Sequence, residues 1–342
     1  MTRRLLVSLT KLTGGRDASV KPRTDIEHFL AGDECSAIDI PININSKLGK
    51  AVGYYWTLQV YLREAIAGAA PQVVYIQYPA YSSVLMDRAL KIIRNDTSAK
   101  IVLIVHDVES LRMSKDKPEF LTAEVQRFNS ADGLIVHNQA MEHWLQSHGV
   151  KTPMVKLNLF DYQNPQPIID HANDAGDVCF AGNLRKAQFL NDIPFSKLKI
   201  DVFGDGLELT NSQLIDRGSK SPDELPKYLH DKFGLVWDGE SVDTCSGDYG
   251  EYLKYNSPHK ASLYISSGLP VIVWSQSALA PFVKQQHLGI VINSLNDLEQ
   301  VINQLPDHEY QQMIEFVTVT ADQLRNGHSI KAAVAQIEER LD

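Results

Sequence analysis

Two adjacent cations stand at the start of the helix predicted from the segment YNSPHKASLYISSGLPVIVW. Ser257 has the residue type of an N-cap and Pro258 that of a first helical residue, while Gly268 suits the position after the last turn. His259 and Lys260 therefore fall in the first turn, where free backbone N–H groups already present partial positive charge. A bound anion would relieve this conflict, so the segment predicts a phosphate-binding site. The alternative is a capped core helix with Lys260 in solvent, since the conflict is worth only about 0.3–1 kcal/mol.

Glycines and charged residues also follow other predicted strands. Ligands of parallel sheets bind at the carboxyl ends of the strands, so these loops are expected to share one edge. The loops contain Gly14, Gly15, Arg16, Lys21 and Arg23; Gly182, Asn183, Leu184, Arg185 and Lys186; Gly204, Asp205 and Gly206; and Asp238, Gly239 and Glu240. Cations gathered at one edge of an acidic protein favour a ligand such as a nucleotide diphosphate. Each loop alone is equally compatible with ordinary turn chemistry.

Length and composition narrow the class of protein. A chain of 342 residues is long enough for two domains, and 44% hydrophobic with 22% charged residues is ordinary for a globular protein. A net charge of −9 argues against a nucleic-acid partner, which normally requires a basic stripe. The three cysteines, Cys35, Cys179 and Cys245, are far apart and odd in number, which indicates a reducing compartment.

The N-terminal sequence MTRRLLVSLTKLTGG does not fit a secretory signal, because Lys11 interrupts the apolar run too early. No apolar stretch approaches the length of a transmembrane helix. We therefore expect a cytoplasmic protein. Peripheral contact with the inner face of the membrane stays open, although no strongly basic amphipathic helix demands it.

Short β-rich runs alternate with helical patterns in both halves of the chain. The predicted strands are 3–9, 37–40, 73–77, 101–106 and 133–137, then 177–181, 198–203, 233–237, 270–273 and 289–291. The predicted helices are 51–67, 84–93, 120–129 and 141–147, then 222–230, one from Pro258, 278–286, 295–305, and 308–341 with a break near Asn326 and Gly327. Nearly continuous apolar strands are typical of parallel sheets covered by helices on both faces.

The fold class is therefore α/β, with two Rossmann-like doubly wound domains facing a cleft. A stretch rich in Pro, Asn and Asp, 157–176, is the candidate linker. We assign residues 1–160 to the first domain and 161–319 to the second. The C-terminal helix, within 320–342, is a candidate to cross back and join the first domain.

Other ligand-binding motifs of doubly wound folds are missing. The sequence has no GxGxxG fingerprint and no GxxxxGK[ST] phosphate loop, which argues against a dehydrogenase and a P-loop enzyme. No Asp-x-Asp pair, which could hold a metal ion, follows a predicted strand. Asp107 and Glu109 have the most similar spacing. We expect no obligatory metal or cofactor, with Lys260, Arg185 and the helix dipole supplying the positive charge.

The segment FGLVWDGESVDTCSGDYGEYLKYNSPHKASLYISSGLPVIVW resembles the C-terminal half of bacterial β-1,6-galactofuranosyltransferases of O-antigen assembly. More distantly, it is similar to the glucosyltransferase 3 family that extends sugars on serine-rich adhesins. The likeness continues in the same order through GRDASVKPRTD, VHDVESLR, IVHNQAMEHWL and FAGNLRKAQF, and so spans most of the chain.

This resemblance implies a GT-B fold, a UDP-sugar donor held mainly by the second domain, and a glycan or lipid-linked oligosaccharide acceptor on the first. UDP is then the product. The Ser257 and Pro258 pair follows the galactofuranosyl pattern, which favours galactofuranose transfer in polysaccharide biosynthesis. Transfer of glucose of the adhesin type and a noncatalytic GT-B partner protein are the alternatives. The adhesin relatives also suggest a homo-oligomer.

Departure of UDP leaves an oxocarbenium-like sugar, so the main demand is for positive groups aimed at the leaving diphosphate. We expect Lys260, Arg185 and the backbone N–H groups after Ser257 to meet this demand, joined by Arg16. The other predicted donor-binding residues are Gly14, Gly15, Gly182, Asn183, Gly204, Tyr255, Asn256, Pro258 and His259.

If the transfer inverts the anomeric carbon, a general base must take the proton of the acceptor hydroxyl. The candidates from the first domain are Asp107, then His106, then Asp17, although a His-Asp pair at a strand end can also be a structural turn. His137 and Asn138 occupy the same position one strand later, where either acceptor contact or packing is expected. Asp238 and Glu240 could bind sugar hydroxyls or remain solvated.

Overall fold

The computed structural model describes residues 3–11, 20–32, 35–42, 57–80, 82–112, 117–168 and 176–341. The chain divides into two compact units. The first unit comprises Met1–His137, Glu142–Leu157 and Ile330–Asp342, and the second comprises Asn138–Met141 and Asn158–Ser329.

The first unit contains a parallel sheet of six strands in the order β2-β1-β3-β4-β5-β6. Its central strands are apolar and buried along almost their whole length, as expected where both faces of a sheet are covered. The strands are β1 (Arg4–Lys11), β2 (Cys35–Ile42), β3 (Val73–Tyr78), β4 (Lys100–Val105), β5 (Gly133–Val136) and β6 (Met154–Lys156).

The second unit contains another parallel sheet of six strands, in the order β12-β11-β10-β7-β8-β9. Buried apolar residues pack against both of its faces. The strands are β7 (Gly176–Ala181), β8 (Ile200–Phe203), β9 (Leu214–Asp216), β10 (Asp231–Val236), β11 (Val271–Trp274) and β12 (Gly289–Ile292).

Helices connect the strands, as parallel pairing requires. In chain order they are α1 (Lys21–Leu30), a π-helical turn (Thr57–Leu62), α2 (Arg63–Ala69), α3 (Ser83–Asp96), α4 (Glu109–Arg112), α5 (Pro118–Asn129), α6 (Gln139–Ser147), α7 (Gly247–Tyr252), α8 (His259–Ser267), α9 (Ala280–Gln285), α10 (Leu298–Gln304), α11 (Asp307–Arg325) and α12 (His328–Leu341). Short 3-10 turns cover Leu184–Lys186, Gln188–Asp192, Leu225–Tyr228 and Leu295–Asp297.

Each sheet has a point at which the direction of strand addition reverses. In the first sheet this switch point lies between β1 and β3, and in the second it lies between β7 and β10. At a switch point, the connections that follow the two adjacent strands pass over opposite faces of the sheet. This opens a crevice beyond the carboxyl ends of those strands. The fold therefore predicts one ligand-binding edge in each unit.

The predicted α/β fold class with two doubly wound domains is confirmed. Three local predictions are wrong. Lys21 and Arg23 belong to α1 and not to a loop, because Pro22 opens a helix that buries Ile26 and Phe29. Residues 222–230 contain only a 3-10 turn, and residues 247–252, for which no helix was predicted, form α7.

The C-terminal helix α12 packs against the first unit from Ile330 onward, so the expected return of this helix is confirmed. Glu338 accepts hydrogen bonds from Arg4 Nε at 2.7 Å and Arg4 Nη2 at 2.8 Å, and from the Tyr75 hydroxyl at 2.8 Å. The predicted break between α11 and α12 falls at Asn326 and Gly327, where Gly327 has a φ of 72°. The bidentate Arg4 contact anchors the helix to β1.

Glu299 of α10 ties that helix to the segment before β8. Its carboxylate accepts hydrogen bonds from the backbone N–H groups of residues 196–198, and these bonds lower the pKa of Glu299 to about 2. A carboxyl group with a depressed folded pKa stabilises the fold above its unfolded pKa and loses this contribution as the pH falls through the folded value. The hydrogen bonds to Glu299 therefore stabilise the fold at neutral pH and lose this effect in acid.

We expect Glu299→Gln to lower the Tm at pH 7, with the difference from the wild type shrinking between about pH 5 and pH 2. Thermal unfolding followed by circular dichroism across this range measures it. Glu315→Gln, on an exposed part of α11, is the matched control and should leave the Tm unchanged. Equal Tm values for Glu299→Gln and Glu315→Gln at pH 7 would contradict a stabilising role of the hydrogen bonds to Glu299.

Candidate active site

Lys260 lies at the switch point of the second sheet. Its Nζ donates to Asp238 Oδ1 at 2.7 Å and to the Trp237 carbonyl oxygen at 3.3 Å, just beyond the end of β10. Its ammonium is 4.6 Å from the centroid of the Phe180 ring on β7. Gly182 leaves room for this arrangement, because a β-carbon there would stand 3.2 Å from Lys260 Cε. The sequence did not predict this pairing of Lys260 with Asp238.

The start of α8 differs from the prediction by one residue. Pro258, with a ψ of 134°, occupies the N-cap position, and His259 is the first helical residue. Ser257 therefore precedes the N-cap position, and its buried hydroxyl accepts a hydrogen bond from Asn138 Nδ2 at 3.0 Å. The N-cap residue contributes no side-chain hydrogen bond to the first turn of α8. That turn retains the amide dipoles that favour an anion.

The loops after β7 and β8 run side by side. The Gly182 N–H donates to the Phe203 carbonyl at 3.0 Å, and the Leu184 N–H donates to the Asp205 carbonyl at 3.2 Å. A β-carbon on Gly204, whose φ is 154°, would collide with the Gly182 carbonyl oxygen, so only glycine fits there. Two predicted donor-site glycines thus lie in direct contact.

Arg185 follows this glycine pair. Its side chain lies over Gly206, which has a φ of 104°, and its backbone N–H donates to Asn183 Oδ1 at 3.1 Å. Arg185 itself is exposed. The structure thus groups the predicted residues Gly182, Asn183, Arg185 and Gly204 at one strand edge, with Lys260 beside Gly182.

Tyr249 is a residue of this region that the sequence reasoning missed. The Lys186 ammonium lies 3.8 Å from the centroid of the Tyr249 ring, a cation–π contact, and the ring is 39% exposed. Tyr249 belongs to α7, a helix that the sequence analysis did not predict. The tyrosine itself was the only available signal, because aromatic side chains exposed beside charged loops often contact ligands.

Three other predicted donor-site residues near the start of α8 have surroundings different from those of Lys260. The His259 ring packs against Tyr162 at 5.0 Å and Phe160 at 6.0 Å between centroids. Tyr255 is held through its backbone carbonyl, which accepts from Asn138 Nδ2 at 3.0 Å. Asn256 Oδ1 is buried and has no hydrogen-bond partner among the described residues. His259 and Lys260 therefore face different surroundings despite being neighbours.

The candidate bases of the first unit follow β4. Asp107 forms an ion pair with Arg112 of α4, and His106 Nε2 lies 2.8 Å from Gln77 Oε1. His137, after β5, is fully buried, and burial lowers its pKa to about 4, which keeps its ring neutral at physiological pH. Gly14, Gly15, Arg16 and Asp17 lie outside the described residues.

The two other cations predicted for the first loop are already engaged. Lys21 Nζ pairs with Asp25 at 2.6 Å, and both side chains are buried. Arg23 donates to the carbonyl oxygens of Gln77 at 3.1 Å and Pro79 at 2.6 Å. Both cations therefore stabilise α1 and its contact with β3.

No group of three or more His, Cys, Asp or Glu side chains that could hold a metal is found in the described part of the chain. A search of the same residues for membrane spans finds no helix with the length and apolar character required.

Solved structures with the same arrangement define the class of fold. Sucrose-phosphate synthase from Thermosynechococcus elongatus matches with a TM-score of 0.70 over 99% of both chains at 10% identity. Trehalose-6-phosphate synthase, OtsA, matches with a TM-score of 0.60 over 98% of this chain and 99% of that chain at 7% identity. The architecture is the GT-B fold.

The sequence comparisons identify the family. Residues 7–159 match the glucosyltransferase 3-like N-terminal domain, and residues 178–337 match the glucosyltransferase 3-like C-terminal domain. The chain belongs to this family and is a glycosyltransferase of the GT-B fold.

Two relatives cover most of the chain. The β-1,6-galactofuranosyltransferase WbbI of Escherichia coli K12 is 29% identical over 248 residues, which are 71% of this chain and 72% of WbbI. Glucosyltransferase 3 of Streptococcus gordonii is 26% identical over 269 residues, which are 76% of this chain and 77% of that protein. The family resemblance drawn from the sequence motifs is confirmed.

Asn138 holds the segment that leads into α8, which gives a first test of the site. We expect Asn138→Asp to lower the free energy of unfolding by about 1–3 kcal/mol, because a carboxylate would face the Tyr255 carbonyl and lose both donated hydrogen bonds. Urea denaturation measures this change. Asn129 makes the same kinds of bond at the surface, to the Gly149 carbonyl and from the Lys151 N–H. Asn129→Asp should cost much less, and equal losses would contradict the assignment.

Proposed function

We propose that this glycosyltransferase moves galactofuranose from a UDP-sugar to a glycan or lipid-linked oligosaccharide acceptor, releasing UDP, in cell-surface polysaccharide assembly. The observation that carries the proposal is the position of Lys260 at the β7 and β10 switch point, beside Gly182 and at the start of α8. The relation to WbbI favours galactofuranose. UDP-glucose-dependent transfer is the second candidate, favoured by the relation to glucosyltransferase 3.

Lys260 is proposed to bind the diphosphate of the donor. Its pair with Asp238 is partly exposed, with 20% and 25% of the two side chains accessible. Exposed ion pairs of this kind contribute about 0.2–1 kcal/mol, whereas charge-assisted bonds to a phosphate are stronger. An arriving diphosphate can therefore replace Asp238, which is then free to accept a hydrogen bond from a sugar hydroxyl.

Arg185 and the first turn of α8 are proposed to share the charge of the leaving diphosphate with Lys260. Arg185 is exposed at the same strand edge, and the N-cap residue of α8, Pro258, contributes no side-chain hydrogen bond to the N–H groups of the first turn. Positive groups already oriented toward the leaving oxygen stabilise the transition state as charge develops. These residues can provide that stabilisation themselves.

The first unit is proposed to bind the acceptor. If the transfer inverts the anomeric carbon, the acceptor hydroxyl must lose its proton to a general base. Asp107 is engaged by the Arg112 guanidinium, whereas the His106 ring is oriented by a neutral amide. We therefore propose His106 ahead of Asp107 as the base.

We expect Lys260→Ala to weaken UDP binding at least tenfold, which corresponds to about 1.4 kcal/mol, because the diphosphate loses its main cation. Isothermal titration calorimetry with UDP measures the affinity. Lys254 is the matched control, because it forms a similar 2.7 Å ion pair with Glu251 in the same unit. Lys254→Ala should bind UDP as the wild type does, and equal UDP affinity of both variants would refute the diphosphate site.

Donor choice is tested by UDP release in the presence of a glycan acceptor, with UDP-galactofuranose, UDP-glucose and UDP-galactopyranose compared. The proposal expects the highest kcat/KM with UDP-galactofuranose. Preference for UDP-glucose would support the second candidate. UDP binding without turnover of any donor would point to a noncatalytic partner protein.

A further inference from the structure

A contact between Lys186 and Tyr249 spans the switch point of the second sheet. Lys186 ends the 3-10 turn that follows β7, and Tyr249 lies in α7, which is part of the connection after β10. The Lys186 ammonium stands 3.8 Å from the centroid of the Tyr249 ring. Because β7 and β10 are the adjacent strands at which the connections diverge, this contact joins the two sides of the crevice.

The packing of α7 holds Tyr249 beside the Lys260 site. A β-carbon on Gly250 would stand 3.0 Å from the Asp238 carbonyl oxygen, so the backbone of α7 packs directly on that residue. Asp238 in turn accepts a hydrogen bond from Lys260 Nζ at 2.7 Å. Tyr249 precedes Gly250 and is therefore held next to the proposed diphosphate site.

The contact between Lys186 and Tyr249 is weak enough for a ligand to replace. The Tyr249 ring is 39% exposed, and cation–π contacts at exposed sites contribute little to stability. Within the described part of the chain, Lys186 pairs with no carboxylate and the Tyr249 hydroxyl makes no hydrogen bond. Lys260 and Lys254 of the same unit, by comparison, both form ion pairs.

The chemistry of these two side chains matches the two parts of a UDP-sugar that meet at the bond to be broken. An ammonium group forms charge-assisted hydrogen bonds with the oxygens of a diphosphate. The face of an aromatic ring carries partial negative charge, which suits the C–H groups of a sugar ring. Since the sugar is bonded directly to the diphosphate, an aromatic ring beside the cations lies where the sugar is expected.

We propose that Tyr249 is a specificity-determining residue that contacts the sugar of the donor, and that Lys186 moves from its ring to the diphosphate when the donor binds. This inference rests on the proposed function, because Lys260 must first bind that diphosphate. UDP alone attracts Lys186 but offers no sugar to the uncovered ring. Tyr249 therefore favours the complete UDP-sugar over UDP.

Tyr228 provides a matched control in the same unit. It is 45% exposed, and the Lys220 ammonium lies 5.0 Å from the centroid of its ring. Tyr228 ends the 3-10 turn that precedes the amino end of β10, whereas the crevice lies beyond the carboxyl end of this strand. The same pair of residue types thus occurs away from the proposed site.

Isothermal titration calorimetry with UDP, UDP-galactofuranose and UDP-glucose tests the role of Tyr249. We expect Tyr249→Ala to lower the affinity for the preferred UDP-sugar about fivefold and to change the affinity for UDP by less than about twofold, because only the sugar loses its contact. Retained UDP binding also shows that the variant is folded. Tyr249→Phe keeps the ring and should bind as the wild type does, and Tyr228→Ala should leave every affinity unchanged.

The role of Lys186 is tested by the same measurement. We expect Lys186→Ala to weaken the binding of UDP and of the UDP-sugar by the same factor, because both ligands contain the diphosphate. Lys220→Ala should bind both ligands as the wild type does. Unchanged UDP affinity in Lys186→Ala would overturn the proposed movement of this lysine.

The ratio of UDP-sugar affinity to UDP affinity decides the inference. A wild-type ratio in Tyr249→Ala would overturn it, whether both affinities stay the same or both fall equally, since a structural role of the ring would affect both ligands alike. A wild-type protein that binds no UDP would instead refute the proposed function, and this inference with it. The two failures thus give different results.

Discussion

The ion pair of Lys260 with Asp238 is the interaction on which the second unit's site depends. It places one cation across the ends of two adjacent strands, at the only point where the connections of this sheet diverge. Gly204 is required beside it because a β-carbon there would collide with the Gly182 carbonyl oxygen, and a β-carbon on Gly182 would come within 3.2 Å of Lys260 Cε. The proposed function has a ligand anion replace Asp238, which requires little energy because partly exposed ion pairs are weak.

The first unit uses the corresponding edge of its own sheet in a different way. The centre of that edge is a buried amide, Gln77, bonded to Ser8, Glu27 and His106. Its cations Lys21 and Arg23 are held by α1 and β3. In the proposed function, groups of the second sheet bind the leaving anion and groups of the first sheet take the proton of the acceptor.

Much of the fold could be predicted from the sequence because the strands of parallel sheets are nearly continuous apolar runs. All ten predicted strands exist, and the break at Asn326 and Gly327 follows from residue type alone. The helix α1 was missed because its sequence is polar on average and shows its apolar face only through Ile26, Phe29 and Leu30. The helix α7 was missed because its two glycines indicate a loop when burial is unknown.

The sequence by itself determined the α/β class, the family and the loops that follow each strand, because these depend on local pattern and residue type. Only the tertiary structure decided which charges are paired. Asp238 stands 22 residues from Lys260 along the chain, and Gln77 stands 29 residues from His106. Strand order brings these partners together, since hydrogen bonds and ion pairs depend on distances in space that residue spacing does not encode.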